Sequence, residues 1–150
     1  AQMADTTPIK KCIEPYVRKW LSTQFLGHNF AEKRVTLKTG GSHMFDAVSE
    51  DESTVVAILS NRPTTKGDKE NSGGVHKAKV DLSLLRETKN EATKVMVFTN
   101  LGFHDLITKR TTGLGIETIR HLHCELPKKL QSLLDKVLDN ASKEQRNRLK

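Results

Sequence analysis

The stretch HMFDAVSEDESTVVAIL, His43 to Leu59, decides the fold. His43 to Ser49 reads as a strand, and Glu50 to Ser53 as a polar turn. Thr54 to Leu59 is a continuous apolar run rich in β-branched residues, the pattern of a central strand covered on both faces. Just upstream, Val35 to Leu37 alternates briefly, and Thr39 to Ser42 carries a Gly-Gly turn signal. Three strands joined by two short turns make an antiparallel meander.

Before the meander, Thr7 and Pro8 read as a helix N-cap and first helical position. Ile9, Cys12, Ile13, Tyr16, Val17, Trp20 and Leu21 recur at helical spacing as an apolar face, with Lys10, Lys11, Glu14, Arg18 and Lys19 opposite. Pro15 interrupts this pattern at a cost of about 3 kcal/mol, so the helix kinks there or begins at Glu14. After the meander, residues 61–74 form the longest expected loop, flexible or ligand-contacting. Val75, Ala78, Leu82 and Leu85 mark a helix over 75–88, and Lys94 to Phe98 a further buried strand. Thr99 and Asn100 cap a short helix carrying Phe103, Leu106 and Ile107. Ile116 to Cys124 suits helix or strand, and strand is preferred because glycines and Pro127 frame it. Pro127 starts a last helix with Leu130, Leu133, Leu134, Val137, Leu138 and Ala141 on its apolar face. The expected order, α-β-β-β-α-β-α-β-α, builds an α/β fold: a three-layer α/β/α sandwich with a mixed β-sheet. It occupies residues 1–150 as one domain, with 1–7 and 143–150 expected to be flexible.

Composition narrows the function. The chain has 150 residues, with 25 Lys and Arg against 18 Asp and Glu, a net charge of +7. That balance favours a polyanionic partner, because each contacted phosphate releases condensed counterion. Aromatics are only 5%, too few for a wide base-stacking platform. No apolar run approaches the ~20 residues that span a bilayer, so no membrane role is expected. The start lacks the charged and apolar regions of a signal peptide. Cys12 and Cys124 are two isolated thiols, suited to a reducing cytoplasmic setting.

The order of elements and the words FDAVS and VVAIL together resemble the core of the restriction-endonuclease-like, or PD-(D/E)XK, superfamily. The resemblance covers roughly Pro8 to Thr99. It implies a first metal-binding acid at Asp46 on the second strand. It also implies a second acid and a lysine one residue apart on the third strand, where side chains two apart share a face. The acids would hold Mg²⁺ and the lysine would position the attacking water. Those third-strand positions are Ala57 and Leu59, which offer neither ligand atom nor charge. A one-residue shift presents Ile58 and Ser60, again without a carboxylate. Some members of the superfamily carry the lost acid or lysine on the following helix, where His76, Lys77, Lys79 and Asp81 stand in this sequence.

Three expectations follow. The first is a nuclease-fold protein that binds nucleic acid, DNA in particular, or assembles with a partner, homodimerisation included, without standard cleavage and without a cofactor. The second is a Mg²⁺-dependent nuclease whose catalytic group is Asp46, Lys79 and Asp81, with Asp46 as metal ligand. The third is a protein-interaction scaffold, since fold does not imply function. Arg62, Lys66, Lys69, Lys77 and Lys79 are the candidate phosphate contacts, although Asp68, Glu70 and Asp81 dilute them and a solvated face is the commoner meaning of such a run. His43 and Asp46 fall on opposite faces of a regular strand, so a shared site needs a bulge. Ser60 and Asn61 more often turn a chain than touch phosphate. His121, His123 and Cys124 lack the paired spacing of a zinc site, and a buried thiol suits Cys124 better than a nucleophile. Gly113-Leu114-Gly115 lacks the third glycine of a dinucleotide fingerprint, the position being Thr118.

Overall fold

The computed structural model describes residues 7–65, 67–115 and 118–148, with side chains through Ala141. Its elements are α1 (Glu14–Gln24), β1 (Phe30–Thr36), β2 (Ser42–Ser49), β3 (Thr54–Leu59), α2 (Ser72–Arg86), β4 (Thr93–Phe98), α3 (Leu101–Thr111), β5 (Arg120–His123) and α4 (Lys128–Arg148). The five strands form one mixed sheet in the order β1-β2-β3-β4-β5. The meander β1-β2-β3 is antiparallel, and β3-β4 and β4-β5 are parallel.

The sheet separates two apolar clusters. Val55, Ala57 and Leu59 of β3 and Met96 and Phe98 of β4 pack with Val75, Ala78 and Leu82 of α2 and Phe103 and Ile107 of α3. Val56, Ile58, Val95 and Val97 turn to the other face and meet Val17 and Leu21 of α1 and Leu134 of α4. Strands buried on both faces read as unbroken apolar runs, which is why TVVAIL and KVMVF are legible. Burial of each such side chain contributes roughly 1.5–3 kcal/mol.

Several boundaries differ from the sequence reading. β1 begins at Phe30, five residues before Val35, because an outer strand with Glu32, Lys33 and Arg34 on its surface carries little apolar signal. β5 is confined to Arg120–His123; Ile116 lies outside the described residues. α2 starts at Ser72 despite Gly73 and Gly74, because Asn71 caps it by accepting from Gly74 N at 3.0 Å. The cap also requires the glycine: a Cβ on Gly74 would sit 2.7 Å from the Asn71 side chain. Within the expected loop, Thr64 and Glu70 pair as a small antiparallel hairpin. α4 continues as helix through Arg148, past Lys143.

Two irregularities matter for the site. The first answers Pro15. A π-helical segment, Ile9–Ile13, precedes α1, and the Glu14 N–H bonds Ile9 O, five residues back. The widened turn lets Pro15, which has no N–H, sit in the first turn of α1. The extra residue also turns the helix face. Cys12, expected on the apolar side, is exposed, and Glu14, expected in solvent, is only 7% exposed. The second is a β-bulge. Ala31 pairs Val48 while Lys33 pairs Phe45, so β2 spends three residues where β1 spends two. The additional residue falls at Asp46 or Ala47, opposite Glu32. As a result Phe45 and Val48 face α2 while Ala47 faces α1.

Candidate functional site

The β2–β3 ladder pairs Ala47 with Val56 and Val48 with Val55. At Asp46 the side chain replaces the backbone: its Oδ2 accepts from Ile58 N–H at 2.8 Å. The Asp46 carbonyl accepts from Arg18 Nε of α1, also at 2.8 Å. Strand, bulge and helix thus hold this carboxyl in place.

Two further carboxylates converge on it. Glu14, Glu32 and Asp46 each offer an oxygen, and the three lie within 4.8 Å of one another. Arg18 reaches Glu14 Oε1 at 3.3 Å, and Lys10 reaches Glu32 Oε2 at 3.3 Å. Burial pushes the Asp46 carboxyl above its usual range; the Ile58 hydrogen bond and Lys77 oppose this, while Asp81 adds to it. Burial also raises Glu14, and the Asp46 charge raises it further against Arg18. The Lys10 ammonium moves up because Glu32 bonds it and attracts it.

The sequence candidates divide between two sides of α2. Lys77 and Asp81 form an i,i+4 ion pair at 3.2 Å, and both act electrostatically on Asp46. Lys79 acts on Glu70 instead, near α3, which separates it from the group Asp46, Lys79 and Asp81. Arg62 is held by Asp139 of α4 at 2.9 Å. Lys69 is exposed in the small hairpin, and Lys66 lies outside the described residues. His43 stacks edge-on against Phe45 with ring centroids 4.8 Å apart, so the bulge does not bring it to Asp46. Ala57 and Leu59 are 4% and 1% exposed, inside the apolar cluster under α2.

His121 and His104 approach across α3 and β5, with ring centroids 6.2 Å apart and Thr108 Oγ1 2.9 Å from His121 Nδ1. Burial lowers the His121 pKa, and His104 lowers it further. Burial pushes the Cys124 thiol up to about 11, which leaves it a poor nucleophile. No group of three or more His, Cys, Asp or Glu side chains that could hold a metal forms there among the described residues.

Glu14 and Glu32 escaped the sequence reading. Pro15 was the available signal for Glu14, because a proline inside an apolar pattern implies a helix out of phase. Nothing local marks Glu32; its place depends on a bulge in the neighbouring strand.

Hard carboxylate oxygens are the donor type that Mg²⁺ takes, and the cluster supplies them from three elements. It is a different set from the one the family resemblance implies, since β3 contributes none. Comparison with family models, with curated proteins and with solved structures returns no match. No helix among the described residues is long and apolar enough to cross a membrane.

Proposed function

We propose that the chain is a restriction-endonuclease-like module that binds nucleic acid through its phosphates and lacks the standard cleavage chemistry. The reading is carried by one observation: Asp46 stands where β2 and β3 part, while the two partner positions, Ala57 and Leu59, are packed into the core. The helix, meander, crossover helix and parallel strand in that order support the family assignment, and the net charge of +7 supports a polyanionic partner. Without the β3 acid and lysine, there is nothing on that strand to complete a metal site or position water. A homodimer, which the resemblance also implies, would not form readily through the β1 edge, because that strand is charged and lies beside a bulge.

Gel-shift and plasmid-nicking titrations test this together. Duplex DNA affinity should fall steeply with salt, with a log–log slope of about −0.9 per phosphate neutralised. Supercoiled plasmid should stay intact with Mg²⁺ or Mn²⁺. Nicking that is present in the wild type and absent in Asp46→Ala would reverse the conclusion about chemistry. Absence of salt-sensitive DNA binding would leave the fold as a scaffold only.

A second reading rests on the convergence of Glu14, Glu32 and Asp46, which gives a divalent cation a seat displaced towards α1. In that reading the three acids hold the ion, whose contribution would be to polarise a phosphodiester oxygen. Melting curves check it. The raised acids contribute stability that is complete below their unfolded pKa values and is lost as pH rises through their folded values. Asp46→Asn should therefore raise Tm at pH 7, and the gain should shrink as pH falls towards 4. If the cluster seats a cation, Mg²⁺ or Mn²⁺ raises the wild-type Tm and leaves Asp46→Asn unmoved. An equal response in both proteins removes this reading.

A further inference from the structure

The hairpin between β3 and α2 ends on a contact that the sequence did not mark. Thr65 N–H donates to Lys69 O at 2.7 Å, Asn71 N–H donates to Pro63 O at 2.9 Å, and Thr64 and Glu70 pair between them. The turn uses Gly67 and Asp68 in left-handed conformations, with φ of 81° and 57°. This geometry lays Glu70 against the last turn of α3. Arg110 Nε donates to Glu70 Oε1 at 3.1 Å, and a second guanidinium nitrogen donates to the same oxygen. Lys109, beside Arg110, and Lys79 of α2 act on Glu70 through space. One carboxylate is therefore the focus of three cations contributed by two helices.

Such a set is also a phosphate seat. Guanidinium binds phosphate oxygens with the planar fork it offers a carboxylate, and flanking lysines add charge without demanding geometry. The occupant is held weakly, since both Arg110 and Glu70 are well exposed, with side chains 45% and 39% accessible. Exposed ion pairs of this kind contribute little and are readily exchanged.

We propose that Glu70 is a built-in competitor for this seat, and that a backbone phosphate of nucleic acid displaces it to bind Arg110, Lys109 and Lys79. The inference rests on the nucleic-acid reading above and locates one of its contacts on the α2–α3 face. It also gives that contact a brake. Binding must first break the Arg110–Glu70 pair, which is exposed on the surface and lies outside the two apolar clusters.

The test is a set of gel-shift titrations with one mixed-sequence duplex DNA over a range of salt. Wild type is compared with Glu70→Gln, Arg110→Ala and Glu91→Gln, which adds the same charge at another exposed position. Glu70→Gln should bind about two- to fivefold more tightly than wild type, the range an exposed ion pair supports. Glu91→Gln should gain less. Arg110→Ala should bind more weakly, with its salt slope reduced by about one. Melting curves verify that all four proteins are folded at the assay temperature. Wild-type binding with no difference between Glu70→Gln and Glu91→Gln, and none on Arg110→Ala, overturns the inference and leaves the nucleic-acid reading standing. No binding by any of the four overturns both. Poly-glutamate that competes as well as DNA, with the same dependence on Glu70, overturns the assignment to phosphodiester.

Discussion

Introducing the acid and lysine that the proposed family reading would place on β3, with Ala57→Glu and Leu59→Lys together, should strongly destabilise the chain rather than give it a nuclease activity. Both positions lie in the cluster with Val75, Ala78 and Leu82 of α2, and neither has appreciable contact with water. Charges placed there lose hydration without a preformed set of partners. Asp46 on the neighbouring strand is not a ready partner for the lysine, because its Oδ2 already holds Ile58 N–H. A buried charge without adequate pairing costs about 3–5 kcal/mol, a large part of a typical stability of 5–15 kcal/mol. At roughly 2–4 °C per kcal/mol for a chain of this size, Tm should fall by at least ~6 °C, and a melt without a folded baseline is the extreme. Differential scanning calorimetry of the double variant and of each single change measures this. A double variant that melts cooperatively near the wild-type temperature and nicks plasmid with Mn²⁺ would mean that the space under α2 can serve as an active-site cleft. The proposed absence of cleavage chemistry would then be wrong.

The second large effect is expected at Phe98. Its ring is fully buried at the end of β4 and meets Phe103 at 5.9 Å, His104 at 5.3 Å and His121 at 5.6 Å between centroids. It therefore joins β4, α3 and β5 at one point. Phe98→Ala should cost about 3–5 kcal/mol, the transfer term plus the cavity that remains. Denaturant unfolding should show a lower midpoint with an unchanged m-value. A loss below 1 kcal/mol would mean that α3 and β5 collapse into the space, and that the His104–His121 contact has more freedom than the packing implies.

What could be read beforehand followed the physics of burial. The doubly covered strands, Thr54–Leu59 and Thr93–Phe98, announce themselves because Val55 to Leu59 and Val95 to Phe98 are buried and apolar throughout. So does the crossover helix, whose Val75, Ala78, Leu82 and Leu85 keep a regular period. β1 was legible only at its last residues, since an outer strand presents most of its side chains to water. The candidate site was half legible. Asp46 stood out by its place after Phe45, yet its neighbours Glu14 and Glu32 are brought in by a π-turn and a bulge. Each of these adds one residue to a regular element, and periodicity assumes that none is added. Lys77 and Lys79 looked like one basic patch because they are two apart in sequence. On a helix that spacing is about 200° of rotation, which sends one towards Asp46 and the other towards Glu70.

The π-turn before α1 carries an implication for how this segment can vary. Side-chain identity at Lys11 and Cys12 is loosely constrained, because both are exposed, while Ile13 and Glu14 next to them are buried. Spacing is not. Deleting one residue there would let an ordinary helix run up to Pro15, rotate everything before it by roughly a quarter turn, and pull Ile13 out of the core that α4 helps to close. Homologous chains should therefore vary at the exposed positions of this segment while keeping its length.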